Sequence, residues 1–214
     1  MQATKRAPTD DSLEVAIRPW AEGDHDLLRA LLGDPEMTRY LGGPETEEQI
    51  RSRHQRYLEL GGTGAIFVIT VGPEGSREDV GSVGYWERDD HGTPCWETGW
   101  SVLPAWQGRG LAVAGMRLAL DHAAADGRHR FVHAYPSVEN TASNRVCEKL
   151  GFELVGSEDF EYPKGHWMRC NDWKIALWRD AGAASDAGAA WRLSESAGST
   201  GARPRTGRGR RRDP

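Results

Sequence analysis

Cysteine is scarce: Cys95, Cys147 and Cys170 are the three in 214 residues, and no two form a C-x-x-C pair. That spacing excludes a disulfide framework and a tetrahedral thiolate zinc site. The seven histidines are scattered without H-E-x-x-H or another ligand spacing, so no metal is expected. No apolar run approaches the roughly 18 residues that cross a bilayer. The opening Met-Gln-Ala-Thr-Lys-Arg-Ala-Pro has no apolar stretch of the kind a secretory signal carries. The expectation is a cytoplasmic chain with no membrane partner. No Gly-Lys-Ser/Thr closes a Walker loop. Of the three spaced glycines of a dinucleotide fingerprint only Gly108 and Gly110 fit, and the strand before them comes late in the chain.

What is present suits one folded body with polar ends. The length supports one sizeable core, and 38% hydrophobic with 28% charged residues fits a globular chain. Net charge is −5, unevenly spread. Residues 179–214 hold eight arginines and four acids, which leaves 19 basic and 28 acidic residues, a net −9, over 1–178. An acidic body steers cationic substrates toward it. Residues 1–12 are polar, and 179–214 are rich in Ala, Gly, Ser and Arg; such compositions bury too little apolar surface to offset ordering entropy. Both ends are expected to be disordered, with one domain over 13–178.

Within 13–178 the periodicities predict a βααβββαβαββ order. Strands are expected at Leu13–Pro19, Ala65–Val71, Val80–Glu87, Cys95–Val102, Arg130–Tyr135, Glu153–Glu161 and His166–Trp178. Asp24 is placed to cap a helix whose Leu27, Leu28, Leu31 and Leu32 share a face. Thr46-Glu-Glu-Gln49 reads as a capping box opening a second helix that ends at Gly61-Gly62. Asp89–Pro94 reads as a hairpin loop. A third helix, with Leu111, Ala114, Gly115, Leu118 and Ala119 at helical spacing, runs to about Gly127, and a fourth spans Asn140–Leu150 and closes at Gly151. The strand–helix–strand unit around 95–135 implies a local parallel pair in a mainly antiparallel sheet, an α/β (α+β) class.

Pro104 stops the 95–102 strand, and the glycine-rich Gln107-Gly108-Arg109-Gly110 leads into the third helix. Glycines let backbone N–H groups approach a ligand closely. The orphan amides and positive dipole end of the helix then favour phosphate oxygens, beside the fixed charge of Arg109.

The order Gln107-x-x-Gly110-x-Ala112 resembles the acyl-CoA loop of the GNAT N-acetyltransferases. Asn140-Thr-Ala-Ser143 followed by Lys149-Leu150-Gly151-Phe152 resembles a second block of that superfamily, at its usual separation. The likeness spans roughly Leu13–Trp178 and is closest to the ribosomal-protein N-terminal acetyltransferase (Rim-type) branch. It implies a GNAT fold with a splayed parallel pair, and acetyl-CoA as co-substrate. It further implies a pyrophosphate held by the amides of Gln107, Gly108, Arg109, Gly110, Leu111 and Ala112, and a pantetheine arm met by the backbone of Leu103 and by Asn140. In Rim-type relatives the serine matching Ser143 lies near the sulfur and can protonate the leaving thiolate. Many other members use a tyrosine four residues later, where this chain has Cys147.

Glu97 is the candidate general base. A carboxylate at that strand position needs a reason, either amine chemistry or a buried ion pair, and both stay open. Glu87 and Asp89 are fallback acids. Cys147 reads as a packed thiol and His133 as a satisfied packing residue. Of Trp86, Trp96 and Trp100, one or two are expected to line an acceptor cleft. Asn140 also suits a plain helix cap, and Ser143 a bond back to its own helix. The reading is an acetyl-CoA-dependent N-acetyltransferase acting on a primary amine in a ternary complex, monomeric or homodimeric, with no specific nucleic-acid partner. Two alternatives are a silent acyl-CoA-binding module and a nucleic-acid-associated protein working through its arginine-rich tail.

Overall fold

Alternation of apolar side chains builds the centre of the molecule. The computed structural model describes residues 13–90, 92–162 and 164–178, so the two expected disordered ends lie outside the described residues. Among these residues β1 (Val15–Pro19), β2 (Gly64–Val71), β3 (Glu78–Asp90), β4 (Thr93–Val102), β5 (Phe131–Ala134), β6 (Glu153–Glu161) and β7 (Trp167–Ala176) form one sheet, ordered β1-β2-β3-β4-β5-β7-β6. Every neighbouring pair is antiparallel except β4 with β5. The α/β order and the parallel pair are as the periodicities imply.

β2 is the strand buried on both faces. Phe67, Ile69 and Val71 enter the core under α3 (Leu111–Asp126), with Val83, Tyr85, Trp96, Val132 and Trp173. Ile66 and Val68 face the other way, onto Leu28, Leu31 and Leu32 of α1 (His25–Leu32) and Ile50 of α2 (Glu47–Glu59). Gly115 brings α3 close to the sheet, since a Cβ there would stand 3.0 Å from Ile69 Cγ1 and 3.4 Å from Val83 Cγ1. The buried face of α3 is Leu111, Gly115, Met116, Ala119 and Ala123. Leu118, expected on that face, is exposed, because the contact stripe turns toward Met116 and Ala123 and leaves it on the rim.

The expected capping box holds: Gln49 N–H donates to Thr46 Oγ1 at 3.3 Å, and Thr46 N–H to Gln49 Oε1 at 2.8 Å. Two local expectations are corrected. Asp89 and Asp90 pair with Pro94 and Thr93, so the hairpin turn is shorter than Asp89–Pro94; cross-strand pairing outcompetes the loop-forming residue types. Asp24 occupies the start of α1, but its carboxylate makes no capping bond there. It accepts instead from Ala21 N–H at 2.8 Å and from Arg18 Nη1 and Nη2 at 2.8 and 2.6 Å.

That pair yields a stability prediction. Burial pulls the Asp24 pKa upward, but the Arg18 and Ala21 hydrogen bonds outweigh it and hold the carboxyl below its ordinary value. A depressed carboxyl stabilises the fold above its unfolded pKa of about 3.9, and the contribution disappears as pH falls through the lower folded value. Arg18 remains 36% exposed, which screens the pair. Asp24→Asn is expected to cost roughly 1–3 kcal/mol at neutral pH. The gap between variant and parent should close on acidification below about pH 3.9. Denaturant unfolding across pH checks it; a gap that stays constant to acid would mean the carboxylate charge is immaterial.

Candidate active site

The site begins where two strands part. β4 and β5 pair only at Trp96↔Val132 and Glu97↔His133. Beyond Glu97 the chains diverge, β4 into a 3₁₀ turn at Pro104–Trp106 and β5 toward α4 (Thr141–Leu150). A cavity of about 220 Å³ occupies this region and extends beneath α1 and α2. Small residues on one face of β3 and β4 make its floor: Ser82, Gly84, Gly99 and Ser101 all line it. The Trp86 indole lies over Gly99, where a Cβ would stand 3.0 Å from Trp86 Cη2.

Glu97 lines this cavity, on the same face as Trp86, its partner across the β3–β4 register. Arg88 Nη1 donates to Glu97 Oε2 at 2.9 Å, so the ion pair considered for this position exists. Burial lifts the Glu97 carboxyl above its ordinary value even though Arg88, and to a smaller extent Trp86 and His133, pull it down. A carboxylate poised upward is a stronger base.

Asn140 and Ser143 line the same cavity from the start of α4. Asn140 is a true cap: its Oδ1 accepts from Ser143 N–H at 3.0 Å. The residue that fixes them is Asn144. Its Nδ2 donates to the carbonyls of Ser137 and Asn140 at 2.9 and 2.8 Å, and its Oδ1 accepts from Asn171 Nδ2 and Trp173 Nε1, both at 2.8 Å. Sequence reasoning passed over Asn144. An asparagine three residues before the apolar Cys147 on a buried helix face was the available signal.

The glycine-rich turn lies at the far end of β4 and does not line the cavity. Gly108 and Gly110 both sit at φ 77°, with open space where a Cβ would be. A left-handed backbone there costs a side-chain-bearing residue and leaves glycine indifferent. Ala114 N–H closes on Gly110 O at 3.0 Å, so the amides of Leu111, Ala112 and Val113 precede the helical ladder. Gln107 Nε2 ties the turn to β4 through Val102 O at 2.9 Å. Arg109 folds back over Trp106, its guanidinium carbon 4.9 Å from the ring centroid and its Nη2 donating to Ala105 O at 3.3 Å. Leu103 N–H is already given to Val80 O at 2.9 Å, and Leu103 O accepts from Trp106 N–H at 2.8 Å. A ligand would therefore meet the Leu103 backbone at the free lone pair of its carbonyl.

The remaining candidates separate cleanly. Glu87 accepts from Arg128 Nη1 at 3.1 Å and Asp89 from Gly92 N–H at 2.7 Å, and neither lines the cavity. His133 is buried, its Nδ1 2.8 Å from Asp172 Oδ1 and its Nε2 3.7 Å from Asp90 Oδ2. Cys147 is fully buried, and burial pushes its thiol to about 12, a packed side chain as expected. Trp86 and Trp100 line the cavity, while Trp96 is buried in the α3 core. Tyr40, Arg53, Tyr57, Tyr135, Phe160 and Tyr162, which local sequence did not flag, complete the walls. Among the described residues no cluster of His, Cys, Asp and Glu could hold a metal, and no helix is long and apolar enough to cross a membrane.

The geometry is thus a glycine-rich turn and helix start at the end of a strand that splays from its parallel neighbour. Residues 14–153 match the family model described as an acetyltransferase (GNAT) domain, and the chain belongs to the GNAT acetyltransferase family. Solved structures share the fold. A GNAT-family acetyltransferase from Bacillus anthracis is 23% identical, with a TM-score of 0.62 over 76% of this chain and 95% of that one. Spermidine N-acetyltransferase from Vibrio cholerae, solved with CoA and spermine, is 18% identical, with a TM-score of 0.64 over 77% and 96%. The Salmonella typhimurium acetyltransferase that modifies the N-terminal serine of ribosomal protein L7/L12 is 20% identical, with a TM-score of 0.61 over 78% and 97%.

Proposed function

We propose that the protein transfers the acetyl group of acetyl-CoA to a primary amine by direct attack within a ternary complex. The observation that carries this reading is convergence. Glu97, Asn140 and Ser143 line one cavity at the gap between β4 and β5, and the glycine turn stands at the end of the same β4. Bound acetyl-CoA supplies an activated acyl thioester. The amides of residues 108–112 hold its pyrophosphate, the Gln107 N–H being given instead to Pro104 O at 3.3 Å, and Asn140 and the Leu103 carbonyl orient its arm. Glu97 takes the proton of the incoming ammonium, which has no lone pair until it is lost. Ser143, on the opposite side of the gap, gives a proton to the departing sulfur. The walls position the amine and exclude water, so proximity supplies much of the rate.

Binding and turnover test this reading separately. Saturating CoA at about a hundredfold over its Kd is expected to stabilise the fold by roughly 2.7 kcal/mol, a visible rise in Tm. Acetyl-CoA consumption against a broad amine and peptide panel should then identify an acceptor. CoA binding without any acetylation would return the silent-module reading, and an unmoved melting curve would remove the cradle assignment. The proposed role of the arginine-rich tail lies outside the described residues.

A further inference from the structure

We propose that the acceptor is a small monoamine carrying an aromatic or comparably apolar body close to its amine, a 2-arylethylamine in kind. This rests on the acetyl-transfer reading above. Charge is the first argument. Among the described residues two ionic side chains line the cavity, Glu97 and Arg53. Glu97 is answered by Arg88 at 2.9 Å. Arg53 is answered by Glu45, with Nε 3.1 Å from Oε2 and a second contact through Nη2, and it donates to Tyr162 Oη at 2.5 Å. The lining thus offers one carboxylate to one ammonium and none to a second. A polyamine or an aminoglycoside would press further ammonium groups against apolar walls, where an unpaired buried charge is strongly disfavoured.

The chemistry of the walls is the second argument. Trp86, Trp100 and Tyr57 face the cavity together with the Tyr135–Phe160 pair. Those last two rings stack at 5.2 Å, and the Arg88 guanidinium lies 4.2 Å from the Tyr135 centroid and 4.8 Å from that of Phe160. Arg88 therefore braces the aromatic wall and the Glu97 carboxylate at once. An amine delivered to Glu97 has rings beside it, and aromatic faces receive both an ammonium and an aryl group well.

Size is the third. About 220 Å³ is available, and roughly 150 Å³ suffices for a benzene ring. One ring and a short arm are of the size this space receives. Trp86 is the specificity-determining residue, because it stands between the aliphatic α1 side and Glu97, and Gly99 leaves room for its indole.

The test is steady-state acetylation by the full chain with acetyl-CoA, at one pH, of 2-phenylethylamine, propylamine, spermidine, kanamycin and a short peptide with a free N-terminus. The kcat/KM for 2-phenylethylamine is expected to exceed that for propylamine by roughly 10–100-fold, the yield of burying one ring. It should also exceed the values for the other three. Trp86→Leu should lower the phenylethylamine-to-propylamine ratio severalfold and Trp86→Phe should restore most of it, with the CoA-induced Tm shift confirming that each variant is folded. A variant that does not fold leaves the decision to the wild-type panel. Spermidine, kanamycin or the peptide outrunning 2-phenylethylamine overturns this inference and leaves acetyl transfer standing. Acetylation of no amine at all overturns both.

Discussion

Glu97→Gln is expected to lower amine turnover by about 10²–10⁴-fold, the range for loss of a general base, with CoA affinity unchanged. The substitution is gentle to the fold. A glutamine carbonyl can still accept from Arg88 Nη1, which now stands 2.9 Å from Glu97 Oε2. What vanishes is the ability to take a proton. The pH profile separates the roles. Burial places the wild-type carboxyl above its ordinary pKa, so the wild-type rate should fall on the acid side as Glu97 protonates, at a pH above the usual glutamate range. In Glu97→Gln the rate should follow the amine's own ionisation, so the defect shrinks as rising pH supplies free amine. Ser143→Ala acts on the leaving sulfur and should show no such alkaline rescue. Wild-type turnover by Glu97→Gln across about pH 6–9 would reduce the carboxylate to a partner for Arg88.

Gly110→Asp should remove the CoA-induced rise in Tm altogether, a loss of roughly 2.7 kcal/mol of linkage at a hundredfold excess over Kd. Two effects of the substitution must be separated. Gly110 sits at φ 77°, so any side chain adds backbone strain, although nothing lies within 4 Å of a Cβ there. Gly110→Asn carries the same strain, which asparagine and aspartate both tolerate better than other residues, and lacks the charge. If the turn holds a pyrophosphate, Asn should keep part of the shift and Asp none. Equal behaviour of the two variants, or a full shift in Gly110→Asp, would place the phosphates elsewhere.

Legibility followed range. The Gln107–Ala112 turn was readable because its requirements are local: two left-handed positions at Gly108 and Gly110, and a helix start just beyond them. The Thr46 capping box and the Asn140 cap were readable for the same reason, each contained within four residues. Asp24 misled because a good capping residue had a better offer from Arg18, which the neighbouring strand presents to it. Ion pairing and cavity walls depend on partners that the chain brings from afar. The Arg88–Glu97 pair is a diagonal contact whose existence requires the register Arg88↔Cys95 across β3 and β4. Arg53 meets Tyr162 across 109 positions.

By itself the sequence determined the class of this protein: a mixed α/β chain with one parallel strand pair and a glycine-rich turn between a strand and a helix. Those features are written in periodicity and in residues that must adopt particular backbone conformations, so neighbours along the chain suffice to specify them. Only the tertiary structure decided what surrounds Glu97, Asn140 and Ser143. Four small residues, Ser82, Gly84, Gly99 and Ser101, are unremarkable within their own strands. They become a cavity floor when β3 and β4 align them on one face. Glu97 likewise became a half-buried, Arg88-held carboxylate in the cavity lining because packing, acting between distant segments, took most of its water away.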